Sequence, residues 1–190
     1  MPHGAAALPS TVVFDLHTGL ERPLPALAQL EMERSLGARA PCDDPAGMWT
    51  CFAPQWCTAT GAPPRLSIVR ARLRIICVSG ESYAGSLECL HGSGLLASDC
   101  VYISSVCVAS ALRRRGVGRL LLQTALRLGG GHPTALHVQR PGTRAASTPM
   151  ERVVALRYPG VLALYEGLGF EQRVEGGHPG YTLLVRPGLT

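Results

Sequence analysis

The sequence predicts an α/β protein built on one mixed sheet, and three observations lead there. Short apolar runs rich in β-formers recur between turn residues, most plainly from Val101 to Val108. Just after that run, Val117, Leu120, Leu121, Ala125 and Leu128 follow the i, i+3, i+4 spacing of a helix buried along one face. From residue 73 onward the elements come in the order strands, helix, strand, helix, two strands. With 190 residues, no internal repeat and no second compositional block, 1–190 reads as a single domain with one substantial core.

Taken in order, Thr11 to His17 has β character. Pro23 is a helix start signal, and Leu24, Leu27, Ala28 and then Glu31 to Leu36 predict a helix that stops at Gly37. Residues 38–64 read as an irregular segment in which Trp49, Phe52 and Trp56 are interleaved with proline, cysteine and threonine. These aromatics either cover a binding site or anchor a long loop to the core. Leu73 to Val78 and Tyr83 to Leu90 are predicted strands, joined by a turn over 79–82. Arg70, Arg72 and Arg74 alternate with apolar residues, as on the solvated face of a strand. The Val101–Val108 strand leads to the Val117–Leu128 helix, with Gly129 at its C-terminal cap. Ala135 to Gln139 is a short strand, and Arg140 to Met150, with Pro141, Gly142 and Pro149, is a loop. Because a residue before proline is biased away from helical angles, Tyr158-Pro159 should delay the last helix to Gly160–Leu168. Phe170 to Val174 and Tyr181 to Val185 close the sheet.

Composition removes several function classes. The net charge of +5 is modest and concentrated near residues 113–119, so no nucleic-acid partner is called for. All basic residues are arginine; without lysine there is neither a Walker phosphate loop nor a pyridoxal Schiff base. The chain has no nucleophile elbow and no zinc-protease motif, and its seven cysteines lack zinc-ligand spacing, so no metal is expected. Their odd number and their placement in apolar runs predict buried thiols in a reducing compartment. Lacking the look of a signal peptide at its start, or an apolar run long enough to span a bilayer, the chain is expected in the cytoplasm and off the membrane.

The turn between the central strand and helix carries the chemistry. Gly116 and Gly118 let the backbone approach a ligand closely, and the free N–H groups of the first helical turn face whatever anion sits there. Arg113, Arg114, Arg115 and Arg119 add positive charge around the same spot. Such a turn suits a diphosphate. It is not a dinucleotide fingerprint, because Leu121 stands where the third glycine belongs.

Arg113-Arg114-Arg115-Gly116-Val117-Gly118 resembles the Arg/Gln-x-x-Gly-x-Gly/Ala pyrophosphate signature of the GNAT superfamily of N-acetyltransferases. Leu164-Tyr165-Glu166-Gly167-Leu168-Gly169-Phe170 resembles that family's later Leu-Tyr-x-x-x-Gly-Phe motif, and the likeness spans roughly residues 72–185. The resemblance implies a mixed, mostly antiparallel central sheet with flanking helices and a splayed central strand pair. It also implies acetyl-CoA as cosubstrate, with pantetheine bound to the backbone of Val106 and Val108 and the segment through Cys107, and the pyrophosphate held over 113–119, Val117 included. In this family the region matching 38–64 often covers the acceptor.

Of the matched residues, Tyr165 corresponds to the family's general acid; a phenol, with a reference pKa of about 10, is protonated at neutral pH and can donate to a departing thiolate. The general base has several candidates. Tyr102 stands where some relatives carry a glutamate, and by strand alternation Tyr102 and Ser104 should share the pocket face with Val106 and order a water there. Glu88 is the nearest carboxylate, and His137 is a further candidate; each also reads as an ordinary strand residue. Tyr158 replaces an asparagine that often touches the cofactor in the family. The implied function is direct transfer of an acetyl group to a primary amine, either of a small molecule or of a protein, in a protein for which a homodimer is admissible. The alternative is a CoA-binding module without catalysis.

Overall fold

A computed structural model of the chain describes residues 11–37, 49–51, 66–140, 149–173 and 181–188. In chain order the elements are β1 (Thr11–Asp15), α1 (Ala26–Gly37), β2 (Trp49–Cys51), β3 (Ile68–Ser79), β4 (Ser82–Ser93) and β5 (Cys100–Ala109). A 3₁₀ turn at Ser110–Leu112 then leads to α2 (Val117–Leu128), β6 (Thr134–Gln139), α3 (Pro149–Glu166), β7 (Glu171–Arg173) and β8 (Tyr181–Arg186). The sheet runs β1-β3-β4-β5-β6-β8-β7, and β2 pairs with β5 outside that path. Among the described residues only β1 with β3 and β5 with β6 are parallel, so the sheet is mixed and mostly antiparallel, as the fold class requires.

Each face of the sheet has its own core. Val117, Leu121, Leu122 and Ala125 of α2 pack onto Leu73, Ile75, Leu87, Val101, Ile103, Val106 and Val108, with Tyr165 and Phe170 joining from the end of α3. Each fully buried Leu or Val contributes about 1.5–3 kcal/mol of transfer free energy, so the apolar stripe of α2 is what docks it. On the opposite face Ala28 and Met32 of α1 pack against Ile76, Val78 and Tyr83. There Glu31 accepts a 2.7 Å hydrogen bond from the Tyr83 backbone N–H, which ties α1 to the hairpin. A third cluster joins Tyr102 and Cys100 to Ala135, Leu183 and Val185.

Several elements differ from the sequence expectation for definite reasons. β3 begins at Ile68 rather than Leu73, because its exposed start, with Arg70 and Arg72 turned to solvent, still pairs with β4. α3 begins at Pro149, a residue preorganised for the first helical position. It passes through Pro159, which removes one helical hydrogen bond without ending the helix, so the late start at Gly160 is corrected. The expected loop therefore ends before Pro149, and residues 141–148 lie outside the described set. Within the supposedly irregular 38–64, residues 49–51 form β2, while Phe52 and Trp56 lie outside the described residues. Cys77, Cys89, Cys100 and Cys107 are all buried; burial pushes the Cys77 thiol up to about 12, with Asp15 adding to the shift, and raises Cys89 as well. Cys42 and Cys57 lie outside the described residues. No helix among the described residues is long and apolar enough to cross a membrane.

Candidate active site

β5 and β6 start side by side and then separate. Their ladder holds only at Val101 with Thr134 and Tyr102 with Ala135, after which β6 continues paired to β8 through Gln139. This is the splayed central pair. The other edge of β5 stays paired to β4 up to Val108, opposite Gly85. A Cβ at Gly85 would lie 2.6 Å from the Cys107 carbonyl oxygen, so β4 and β5 meet too closely there for any side chain.

At the open end of the splay the backbone turns sharply. Arg113 is extended, Arg114 takes φ 62°, and Gly116 caps α2 at φ 86°, a left-handed conformation that costs other residues about 1–2 kcal/mol. A Cβ on Gly116 would meet nothing within 4 Å. Gly118 is different: helical, with a Cβ position 3.7 Å from Val108 and 3.8 Å from Leu164, ordinary contact distances. Thus Gly116 is demanded by the backbone, whereas the protein itself would tolerate a methyl at 118. Leu120 N–H bonds to the Gly116 carbonyl at 3.0 Å, leaving the N–H groups of the preceding helical turn directed outward. Val117 is buried and can serve a ligand only through its backbone.

The arginines divide by position. Arg113 is partly buried, and Arg114, Arg115 and Arg119 are exposed. Two glycines, Gly160 within α3 and Gly167 just past its end, leave them room, which the sequence reading missed: a Cβ on Gly160 would lie 3.5 Å from Arg114 Nη1, and one on Gly167 would lie 3.3 Å from Arg119 Nη2. With a glycine-lined turn, a helix N-terminus and three exposed guanidinium groups, this end of the splay fits a diphosphate.

Tyr165, at the end of α3, is buried in the same core as α2, Val106 and Val108. The Tyr165 carbonyl accepts from the N–H of Leu168 at 2.9 Å and of Phe170 at 3.1 Å, and Gly169 takes φ 82° to make that turn. Its ring meets Phe170 edge-on at 5.5 Å. Burial raises the phenol pKa, with a smaller contribution from Tyr102, so the hydroxyl keeps its proton throughout the neutral range.

The base candidates are not arranged as alternation predicts. β5 carries a bulge: Ile103 pairs with Cys89 and Ser105 with Glu88, leaving Ser104 as the extra residue. One inserted residue reverses the parity of everything beyond it. Val106 and Val108 therefore join the α2-side core with Val101 and Ile103, whereas Tyr102 lies in the cluster with Ala135 and Leu183. The expectation that Tyr102 shares a face with Val106 is corrected by that bulge. Ser104 donates its hydroxyl to the Glu88 carbonyl at 3.2 Å, within the bulge itself. Tyr102, fully buried, contacts His137 Nδ1 through its hydroxyl at 3.2 Å. Glu88 accepts from Arg74 Nε at 2.8 Å and from its Nη2 as well, so that carboxylate is bound into a cross-strand ion pair. Tyr158 hydrogen-bonds Thr182 at 2.8 Å, linking α3 to β8. Among the described residues no group of three metal-ligating side chains is gathered.

The model of the acetyltransferase (GNAT) family matches residues 29–149, which include the splay and the glycine turn and stop short of Tyr165. An acetyltransferase from Thermus thermophilus is 20% identical over 61% of this chain and 64% of its own, with a TM-score of 0.43. The ribosomal-protein-S18-alanine N-acetyltransferase of Escherichia coli is 19% identical over 60% of this chain and 66% of its own, with a TM-score of 0.39. A Bacillus subtilis acetyltransferase in complex with CoA is 16% identical over 60% of this chain and 75% of its own, with a TM-score of 0.41. The chain spans less than two thirds of the length of the first such structures. No curated protein matches it. Because the family model covers more than half of the chain, the protein belongs to the GNAT family of acetyltransferases.

Proposed function

We propose that the protein transfers an acetyl group from acetyl-CoA directly to a primary amine. The observation that carries this reading is the separation of β5 from β6 after Tyr102, on the strand whose far end leads through a glycine turn to the N-terminus of α2. Bound there, acetyl-CoA would supply the activated thioester. The amides of the first turn of α2, with Arg113, Arg114, Arg115 and Arg119 around them, would hold its pyrophosphate, and the backbone from Val106 through Cys107 to Val108 its pantetheine arm.

Within that frame the side chains take separate tasks. Tyr165, kept protonated by burial, delivers a proton to the leaving sulfur. Tyr102 hands its hydroxyl proton to His137 Nδ1 as it takes one from the amine, so that the proton leaves by way of the imidazole. Ser104 shapes the bulge that separates the two faces. Glu88, already bound to Arg74, is not the free carboxylate that a base would need. We take 1–190 as one catalytic domain with its motif-bearing core over 72–185, 38–64 as the acceptor-side segment, and a small amine or a protein amino group as the acceptor.

The test has two parts. Calorimetric titration of the full chain with acetyl-CoA should show a single site, and a panel of amines and peptides should release CoA thiol on at least one acceptor. The ion pair that occupies Glu88 favours a second reading, a CoA-binding module without catalysis. Tight binding with no thiol release on any amine would establish that alternative.

A further inference from the structure

β2 stands where the acyl donor should go. Cys107 and Val108 already face Ser86 and Gly85 of β4, and they also pair with Cys51 and Thr50 of β2. A strand has two edges, so β2 must lie on the one away from β4, the edge that β6 holds at Val101 and Tyr102 and then abandons. Trp49 pairs with Ala109, at the mouth of the splay beside the glycine turn, and Cys51 with Cys107, farther in. The three residues thus lie along the path assigned above to the pantetheine arm. One set of backbone N–H and C=O groups cannot serve both.

We propose that β2 competes with acetyl-CoA for the open edge of β5, so that Trp49–Cys51 must leave Cys107–Ala109 before the donor seats. This inference rests on the cofactor site read in the previous section. β4 does not yield in its place, because it pairs along nearly all of β5 and meets it too closely at Gly85. β2 pairs over three residues only. The apparent affinity for the donor is then the intrinsic affinity scaled by the fraction of molecules whose edge is open. Acetyl-CoA binding and release of residues 49–51 become a single event, which couples the donor site to the acceptor-side segment that carries β2.

Two consecutive prolines provide the test. Hydrogen-bonded and non-bonded pairs alternate along an antiparallel ladder, so Thr50→Pro/Cys51→Pro removes at least one N–H on which the ladder depends. Titrated with acetyl-CoA, the full-length double variant, its fold checked by circular dichroism, should bind about tenfold tighter than the parent, the gain expected when a mostly closed edge is opened. Hydrogen exchange on the parent should show the amides of Trp49–Cys51 losing protection as acetyl-CoA saturates the site. Equal or weaker affinity in the double variant overturns the proposal, as does protection at 49–51 that persists or rises with the donor bound. When either of those results comes with parent binding that Gly118→Asp abolishes, the competition fails and the site reading stands. If neither parent nor variant binds acetyl-CoA, the site reading falls and takes the competition with it.

Discussion

Two stretches of β5, one on each side of Ser104, differ in what surrounds them. Toward the chain start, Tyr102 is enclosed by Leu66, Ala135 and Leu183, and its hydroxyl is held by His137 from the neighbouring strand. Beyond the bulge, Val106 and Val108 lie under α2 and lead into a turn whose proposed recognition elements are mostly main-chain amides. The first stretch depends on side chains contributed by other strands. The second depends on the absence of side chains. A site made from backbone leaves a local record in the sequence, since glycine must stand at fixed positions, whereas a site assembled across strands leaves none until the register is known.

The largest expected effect breaks the backbone half. Gly118→Asp should abolish acetyl-CoA binding in calorimetry while the protein stays folded, because the protein tolerates a Cβ there and the diphosphate does not tolerate a carboxylate. Near-normal affinity would remove the cofactor assignment.

Tyr165→Phe tests the side chain closest in character to the other half. Turnover should fall about 10²–10⁴-fold with acetyl-CoA affinity retained, the mark of a proton donor used in the transition state. The raised phenol pKa also carries a stability prediction. Below about pH 10 the folded and unfolded chains both keep this proton; above it the unfolded chain ionises first, so stability falls as pH rises. Alkaline unfolding of Tyr165→Phe should be correspondingly less steep.

Smaller effects sharpen the comparison. Tyr102→Phe should lower turnover about tenfold near neutrality, within the range expected for losing a positioned proton carrier and its contact to His137, and the deficit should shrink at higher pH as the free amine needs less help. A deficit independent of pH would make Tyr102 a packing residue. Arg114→Ala or Arg115→Ala should weaken acetyl-CoA binding by no more than about fivefold, since exposed charges contribute little singly. A loss rivalling Gly118→Asp would move recognition from backbone to side chain. Glu88→Gln should change thermal stability least, by less than about 1 kcal/mol, because its pair with Arg74 is partly solvated.

Much of this architecture is legible before any coordinates. The amphipathic stripe of α2 and the hairpin of β3 and β4 follow from periodicity, and the two glycines mark the turn. Pro159 misleads because a proline penalty of about 3 kcal/mol is local, while the helix around it continues for eighteen residues in all. The bulge at Ser104 has no signature, since serine there is compatible with plain strand. Without it, alternation assigns Tyr102 to the wrong face. The Arg74–Glu88 pair, the Tyr102–His137 contact and the seat of β2 all depend on register, which no single segment encodes.

The outer strands bear on how copies of this chain can meet. β1 pairs in parallel with β3 on one side, and on the other the chain folds back so that Arg22 N–H bonds to Val13 and Phe14 bridges Glu21. At the far end β7 offers only Glu171, Gln172 and Arg173, all exposed and polar. Both margins of the sheet are blunted in the manner that discourages edge-to-edge aggregation. Pairing of copies through these two described edges is therefore disfavoured, and crowding at high concentration should not drive the protein through them toward continuous cross-chain sheets.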